Sequence, residues 1–194
     1  NLNLIEKNSD LIDQYFLTSS PTLINTNIEK KKLNYMPIPA DKNIENLEIY
    51  NSNNRYKDLF FALSHGVNYG KLKNQNIDER ETFLNELMQK NSKLTFNILG
   101  YANEQPKWNY QFFKELSKCK TALNLSRGIP SKYASSNRIA SIMGNGLLTF
   151  IDEKVQMIDF FNKNEIIFYK NISDLADKII FYSKNDQLRK KIAK

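Results

Sequence analysis

Two arginines stand where an anion could be held. Arg127 follows the apolar run Thr121–Leu125, and Arg138 follows Ser135-Ser136-Asn137 at the start of a helical pattern. Free backbone N–H groups at a helix N-terminus, with the helix dipole behind them, favour a phosphate. A guanidinium beside them adds a planar fork that matches phosphate oxygens. The pair therefore suits a diphosphate, although Ser-Ser-Asn could equally be an ordinary helix cap. Glycines gather in the same kind of loop: Gly66, Gly70, Gly128, Gly144 and Gly146 are five of the six in the chain. Lacking a Cβ, they let the backbone come close to a ligand. The single histidine, His65, sits with Gly66 and Lys71 in one such loop, and Tyr101 in another.

These residues need a scaffold that brings loops to one rim. From Lys57 onward apolar strand runs alternate with amphipathic helices. The strand candidates are Leu59–Leu63, Leu94–Leu99, Thr121–Leu125, Leu147–Ile151 and Glu165–Tyr169. Between and after them come helices over Asp78–Lys90, Asn109–Lys118, Asn137–Gly144, a short Val155–Phe161, one capped by Ser173, and a last one from Asp186. Asp78 with Glu81 three residues on makes a helix start. Near-continuous apolar strands alternating with helices predict an α/β fold, a doubly wound, mostly parallel open sheet. Ligands bind such sheets beyond the carboxyl ends of the strands, where the loops above fall.

The first forty residues read differently: a helix over Leu2–Leu11, a short strand at Gln14–Thr18, a helical turn at Pro21 capped by Ser19 or Ser20, then an extended Leu33–Met36. Pro37 and Pro39 force an extended path, which marks Met36–Asp41 as a linker. The expected division is 1–40 and 41–194. The chain opens with Asn1 inside a helical pattern and is expected to be a piece of something longer.

Composition narrows the functional classes. The 194 residues carry a net charge of +7, which suits an anionic partner, but the basic residues are dispersed apart from Lys30-Lys31-Lys32. A nucleic-acid binder would cluster them on one face with exposed aromatics, so no nucleic acid is expected. One cysteine, Cys119, permits no intrachain disulfide and fits a reducing, cytoplasmic setting. No apolar run approaches the roughly 20 residues that span a bilayer. There is no Walker loop, no G-x-G-x-x-G after the first strand, no Cys/His metal cluster and no Asp-x-Asp.

In order and spacing, several pieces resemble the C-terminal domain of group 1 glycosyl transferases with the GT-B fold, nearest to the spore-maturation-type subgroup. They are DLFFALSHG, TALNLSRG, SSNRIASIMGNGLLTFID and NEIIFYKNISDLADKIIFYSKNDQLRKKIA. Residues 1–40 resemble the end of the family's N-terminal domain, running into a linker that reads Tyr35-Met36-Pro37-Ile38-Pro39-Ala40-Asp41. The resemblance implies a Rossmann-like half that binds a nucleotide-diphosphate sugar. The acceptor (saccharide, lipid-linked or protein) and the chain's own N-terminal domain are then its further partners, at the cytoplasm or the inner membrane face.

On that resemblance Arg138 and Arg127 meet the diphosphate and carry catalysis. Ser135, Ser136 and Asn137 form the helix-start loop, and Gly144 and Gly146 let the chain pass close to the donor. No cofactor or metal is implied, and this piece alone is expected to transfer no sugar. One departure is Ser141, which stands where many relatives hold the ribose with a Glu. A serine cannot offer a bidentate carboxylate. The alternative class is a non-catalytic α/β binding module, a signalling receiver or a nucleic-acid binder. A receiver would place an acidic cluster at the strand ends, where this chain has Ser64, Gly100 and Ser126-Arg127.

Overall fold

The computed structural model describes residues 2–64, 78–102 and 104–194. Its centre is a five-stranded sheet in the order β4-β3-β5-β6-β7, built from β3 (Lys57–Ala62), β4 (Phe96–Leu99), β5 (Cys119–Asn124), β6 (Leu148–Asp152) and β7 (Ile167–Tyr169). Every neighbouring pair is parallel. Parallel strands need crossovers. These are α2 (Glu79–Lys90), α3 (Asn109–Leu116) and α4 (Asn137–Gly144), while α5 (Ile172–Lys184) and α6 (Asp186–Ala193) close the chain.

Strand alternation assigns the two faces. Leu59 and Phe61 point to one side, where they pack with Leu84 and Leu87 of α2, Leu175 and Ile179 of α5 and Ile192 of α6. Phe60 points to the other, against Leu116 of α3 and Ile142 of α4. Both faces are covered, so the expected doubly wound α/β sheet is the fold observed. Burying each such Leu or Phe contributes roughly 1.5–3 kcal/mol.

Several boundaries moved: the first helix stops at Lys7 and a 3-10 turn follows over Ser9–Leu11, and the strands expected from Leu94 and Glu165 begin at Phe96 and Ile167. The helix expected over Val155–Phe161 is instead two short 3-10 turns, Glu153–Val155 and Met157–Asp159. Gln156 between them has a left-handed backbone, φ 56°, which interrupts any helix. Helix α5 is capped by Asn171, whose side chain accepts from the Asp174 N–H, so Ser173 lies inside the helix. Ser20 occupies the cap position of the turn at Pro21–Leu23 but makes no capping bond; its hydroxyl meets that of Thr22.

The N-terminal forty residues form α1 (Leu2–Lys7) and a two-stranded parallel sheet, β1 (Tyr15–Leu17) on β2 (Leu33–Tyr35). They lean on the loop before α4. The Ser20 N–H donates to the Lys132 carbonyl at 2.9 Å, and the Ser135 N–H to that of Thr18 at 2.7 Å.

Gly100 ends β4 with φ +67°, and a Cβ there would strike the Leu63 carbonyl. Gly100→Ala is expected to cost about 2 kcal/mol or more, since the left-handed backbone alone costs roughly 1–2 kcal/mol for an L-residue. Chemical denaturation measures it; an unchanged midpoint would show that this edge can yield.

Candidate functional site

The chain leaves β3 for β4 on one side, then returns past β3 to β5 on the other. This reversal splays the following loops apart and opens a crevice at the carboxyl ends of β3 and β5. Arg138, in the first turn of α4, lies across it. Its Nε donates to the Ala62 carbonyl at 3.1 Å and one terminal nitrogen to that of Leu125 at 3.0 Å. The guanidinium also stacks 4.6 Å from the centre of the Phe61 ring. Among the described residues no carboxylate forms an ion pair with it. Burial, and then the neighbouring Arg80, pull its pKa down to about 10, with Asp78 only partly opposing.

Asp78 caps α2 and is fully buried. Its carboxylate takes the Arg80 N–H and Nε at 3.0 and 2.9 Å on one oxygen and an Arg80 terminal nitrogen at 2.6 Å on the other. Arg127, half-exposed, approaches the same carboxylate at 3.8 Å. Arg127 and Arg138 thus meet one Asp78–Arg80 pair at the carboxyl rim of the sheet. Among the described residues three guanidiniums lie near the Asp78 carboxylate, and Glu79 accepts from the Gly128 N–H at 3.3 Å on the same rim.

A cleft of about 530 Å³ opens beside Arg138, walled by Ser136, Asn137 and Ser141 of the α4 side and by Lys107, Trp108 and Phe112 of the α3 side. Trp108 is 63% exposed. Glu45 also lines it, and Ser141 Oγ donates to Glu45 Oε1 at 3.2 Å. The Asp41 N–H holds the other Glu45 oxygen at 2.7 Å.

The remaining expected residues lie elsewhere. The Ser135 hydroxyl is occupied by the Ile38 N–H at 2.9 Å and faces the linker. Gly144 is a close-packing point: a Cβ would meet Glu45 and Ala40. Gly146 has φ +74° and lies under the Tyr50 ring, so both glycines seat residues 40–50 on α4 and leave no room for a donor to pass at Gly146. Tyr101 bonds through its hydroxyl to Asn85 of α2 and packs on the core, away from the cleft. His65, Gly66 and Lys71 lie outside the described residues. The Cys119 thiol is buried in β5 and burial pushes it up to about 12, so it offers no thiolate.

Sequence reasoning missed Asp78 and Arg80 as a buried pair, and missed Glu45, Lys107 and Trp108. Only Trp108 left a signal: it is the single tryptophan, in the same long loop as Tyr101. Among the described residues no cluster of three or more His, Cys, Asp or Glu could hold a metal ion. No helix among them is long and apolar enough to cross a membrane.

A doubly wound, parallel five-stranded sheet flanked by helices is the Rossmann-like architecture of GT-B glycosyltransferase halves. The family model described as glycosyl transferase-like matches residues 79–194, more than half of the chain, and the chain belongs to that family. A comparison with curated proteins gave no match. Among solved structures the chain is similar to TarM, with a TM-score of 0.60 at 16% identity over 98% of this chain and 40% of that one. It is also similar to a mutant of S. aureus TarM in complex with fondaparinux, alpha-GlcNAc-glycerol and UDP, with a TM-score of 0.58 at 14% identity over 98% and 41%. The T4 phage beta-glucosyltransferase aligns with a TM-score of 0.49 at 14% identity over 89% and 53%. The chain therefore spans about 40% of the length of the TarM structures.

Proposed function

We propose that this chain is the donor-binding domain of a glycosyltransferase, taking a nucleotide-diphosphate sugar whose transfer is completed on an acceptor held by an N-terminal domain. One observation carries the reading: Arg138 is largely buried at the strand reversal, bonded among the described residues only to neutral oxygens, with a second guanidinium, Arg80, beside it. A buried charge whose nearest carboxylate, Asp78, is bonded to another guanidinium costs free energy that a bound anion recovers. A diphosphate seated there meets Arg138, Arg127 and the free N–H groups of α4. The same groups stabilise the charge that grows on the leaving diphosphate as the glycosidic bond breaks. Ser136 and Asn137 orient it from the helix start.

The rest of the cleft suits the nucleoside. Trp108 offers a face on which a base stacks, and Glu45, held by Ser141, offers a carboxylate to the ribose hydroxyls. This supplies, from the segment after the linker, what Ser141 cannot supply alone. That UDP is named in one TarM complex agrees with the reading.

The test is a thermal-shift and fluorescence panel of UDP, GDP, ADP, CMP and their sugars. A ligand at about 100 times its Kd stabilises by about 2.7 kcal/mol. Stacking on an aromatic ring contributes about 1–3 kcal/mol per base, so Trp108→Ala is expected to weaken binding about tenfold or more. Trp108→Phe should keep most of the affinity. Glu45→Gln should erase the preference for ribo- over 2′-deoxynucleotides. No shift with any nucleotide would end the donor reading.

A further inference from the structure

Glu45 presents its carboxylate from a poorly supported stretch of chain. It lies on a turn between the linker and the short 3-10 helix Ile49–Asn51, and its neighbours Ile44, Asn46 and Leu47 are exposed. Gly144 lets it come close to α4, and hydrogen bonds then fix the turn there. Asp41 holds the near end, its carbonyl accepting the Glu45 N–H at 2.7 Å. Asn145 holds the far end. This residue ends α4, is fully buried and touches no ligand itself. Its side-chain oxygen accepts the Leu47 N–H at 3.1 Å, and its side-chain nitrogen donates to the Ser141 carbonyl at 2.7 Å. The two partners leave the carboxamide one orientation, since an N–H needs an acceptor and a carbonyl a donor. The Asn145 backbone carbonyl accepts the Ile49 N–H at 2.9 Å.

One side chain thus joins Ser141, whose hydroxyl bonds Glu45, to the backbone two positions beyond Glu45. A hydrogen bond weakens steeply with distance and angle, so a carboxylate on a drifting turn would lose its hold on a ribose hydroxyl. We propose that Asn145 is a positioning residue for the nucleoside: it fixes Glu45 and Ser141 relative to each other and so sets the preference for ribose over 2′-deoxyribose. This rests on the donor reading above, in which Glu45 meets the ribose hydroxyls. The segment then divides in two. Asn145→Ala removes the tether at Leu47 but keeps the backbone bond to the buried Ile49, so the turn bearing Glu45 loosens while residues 49–50 stay seated.

Binding is read from the fluorescence of Trp108, the single tryptophan, with UDP, GDP and ADP each beside its 2′-deoxy analogue. The parent should favour the ribonucleotide about tenfold, as a bond from a hydroxyl to a carboxylate allows. In Asn145→Ala that preference should fall to about threefold or less, while affinity for the deoxy analogue holds. In a Glu45→Gln background the same substitution should change neither, because the tether then has no carboxylate to position. Ile179→Val, on the opposite face of the sheet, is the control: it should lose stability and keep the preference. Should Asn145→Ala not fold, Asn145→Ser decides by the same ratio, since its shorter side chain cannot reach both partners. Should neither fold, the parent decides: the ribonucleotide should slow hydrogen exchange at the Leu47 amide more than the deoxy analogue does, and equal protection would overturn the proposal. So would a folded variant with the parent's preference, an equal loss with both analogues, or a loss that persists beside Glu45→Gln. A parent that binds both analogues equally would remove the ribose contact, and this proposal with it, but leave the diphosphate site. Binding of no nucleotide would remove the donor reading as well.

Discussion

Asp78→Ala is expected to remove about 3–5 kcal/mol of folding stability, the cost of leaving a buried charge without its partner. The carboxylate is 0% exposed and Arg80 only 7%, so water cannot replace what is lost. Both carboxylate oxygens accept from Arg80, and one also takes its backbone N–H at the start of α2. The cap itself is worth about 1 kcal/mol. Arg80 also faces Arg138, so removing Asp78 leaves two like charges close together without their intervening anion. Single domains hold only about 5–15 kcal/mol in total. Urea denaturation should therefore show a sharply lowered midpoint. The double variant Asp78→Ala/Arg80→Met should recover much of the loss, because an apolar replacement removes the stranded charge with its partner. A single variant within about 1 kcal/mol of the parent would show that the pair is dispensable.

Arg138→Ala is expected to weaken nucleotide-diphosphate binding by at least about tenfold, since a charge-assisted bond contributes about 1.5–3 kcal/mol. Arg138 has a second task. It bonds the Ala62 and Leu125 carbonyls and so ties the ends of β3 and β5 together. Its loss must therefore also lower the melting temperature without ligand, and affinity has to be compared at temperatures where both proteins are folded. Arg127→Ala separates the two effects: half-exposed and beyond the strand end, it should lower affinity with little change in stability. Arg138→Lys should recover only part of the binding, because an ammonium lacks the planar fork. Lys90→Ala, on the exposed end of α2, is the control. Parent-like binding by Arg138→Ala would remove this site from the donor reading.

Much of this was legible in the sequence. Leu59, Phe60 and Phe61 marked a strand covered on both faces, because an apolar run without alternation cannot leave a face in water. Helix α4 was bounded correctly at Asn137 and Gly144, and Asp78 was identified as the cap of α2. These features depend on neighbours within a turn or two of chain, so periodicity and cap chemistry carry them. The placing of Arg127 and Arg138 on one rim followed from the rule that loops of a parallel sheet gather at its strand ends.

Strand order was a tertiary decision. That β5 lies beside β3, with β4 on the far side, is settled by which faces pack best, and it alone puts the crevice at Ala62 and Arg138. The same holds for Glu45, which reaches Ser141 across 96 residues because residues 40–50 fold onto α4. Gly144 and Gly146 looked like ligand-facing glycines, yet Ala40, Glu45 and Tyr50 fill the space their missing side chains leave. Ser135 looked like an anion donor, yet the linker's Ile38 N–H claims it. A small residue signals only that something comes close. What comes close is fixed by surfaces far apart in the chain, which meet only when burying them together outweighs the entropy of bringing them there.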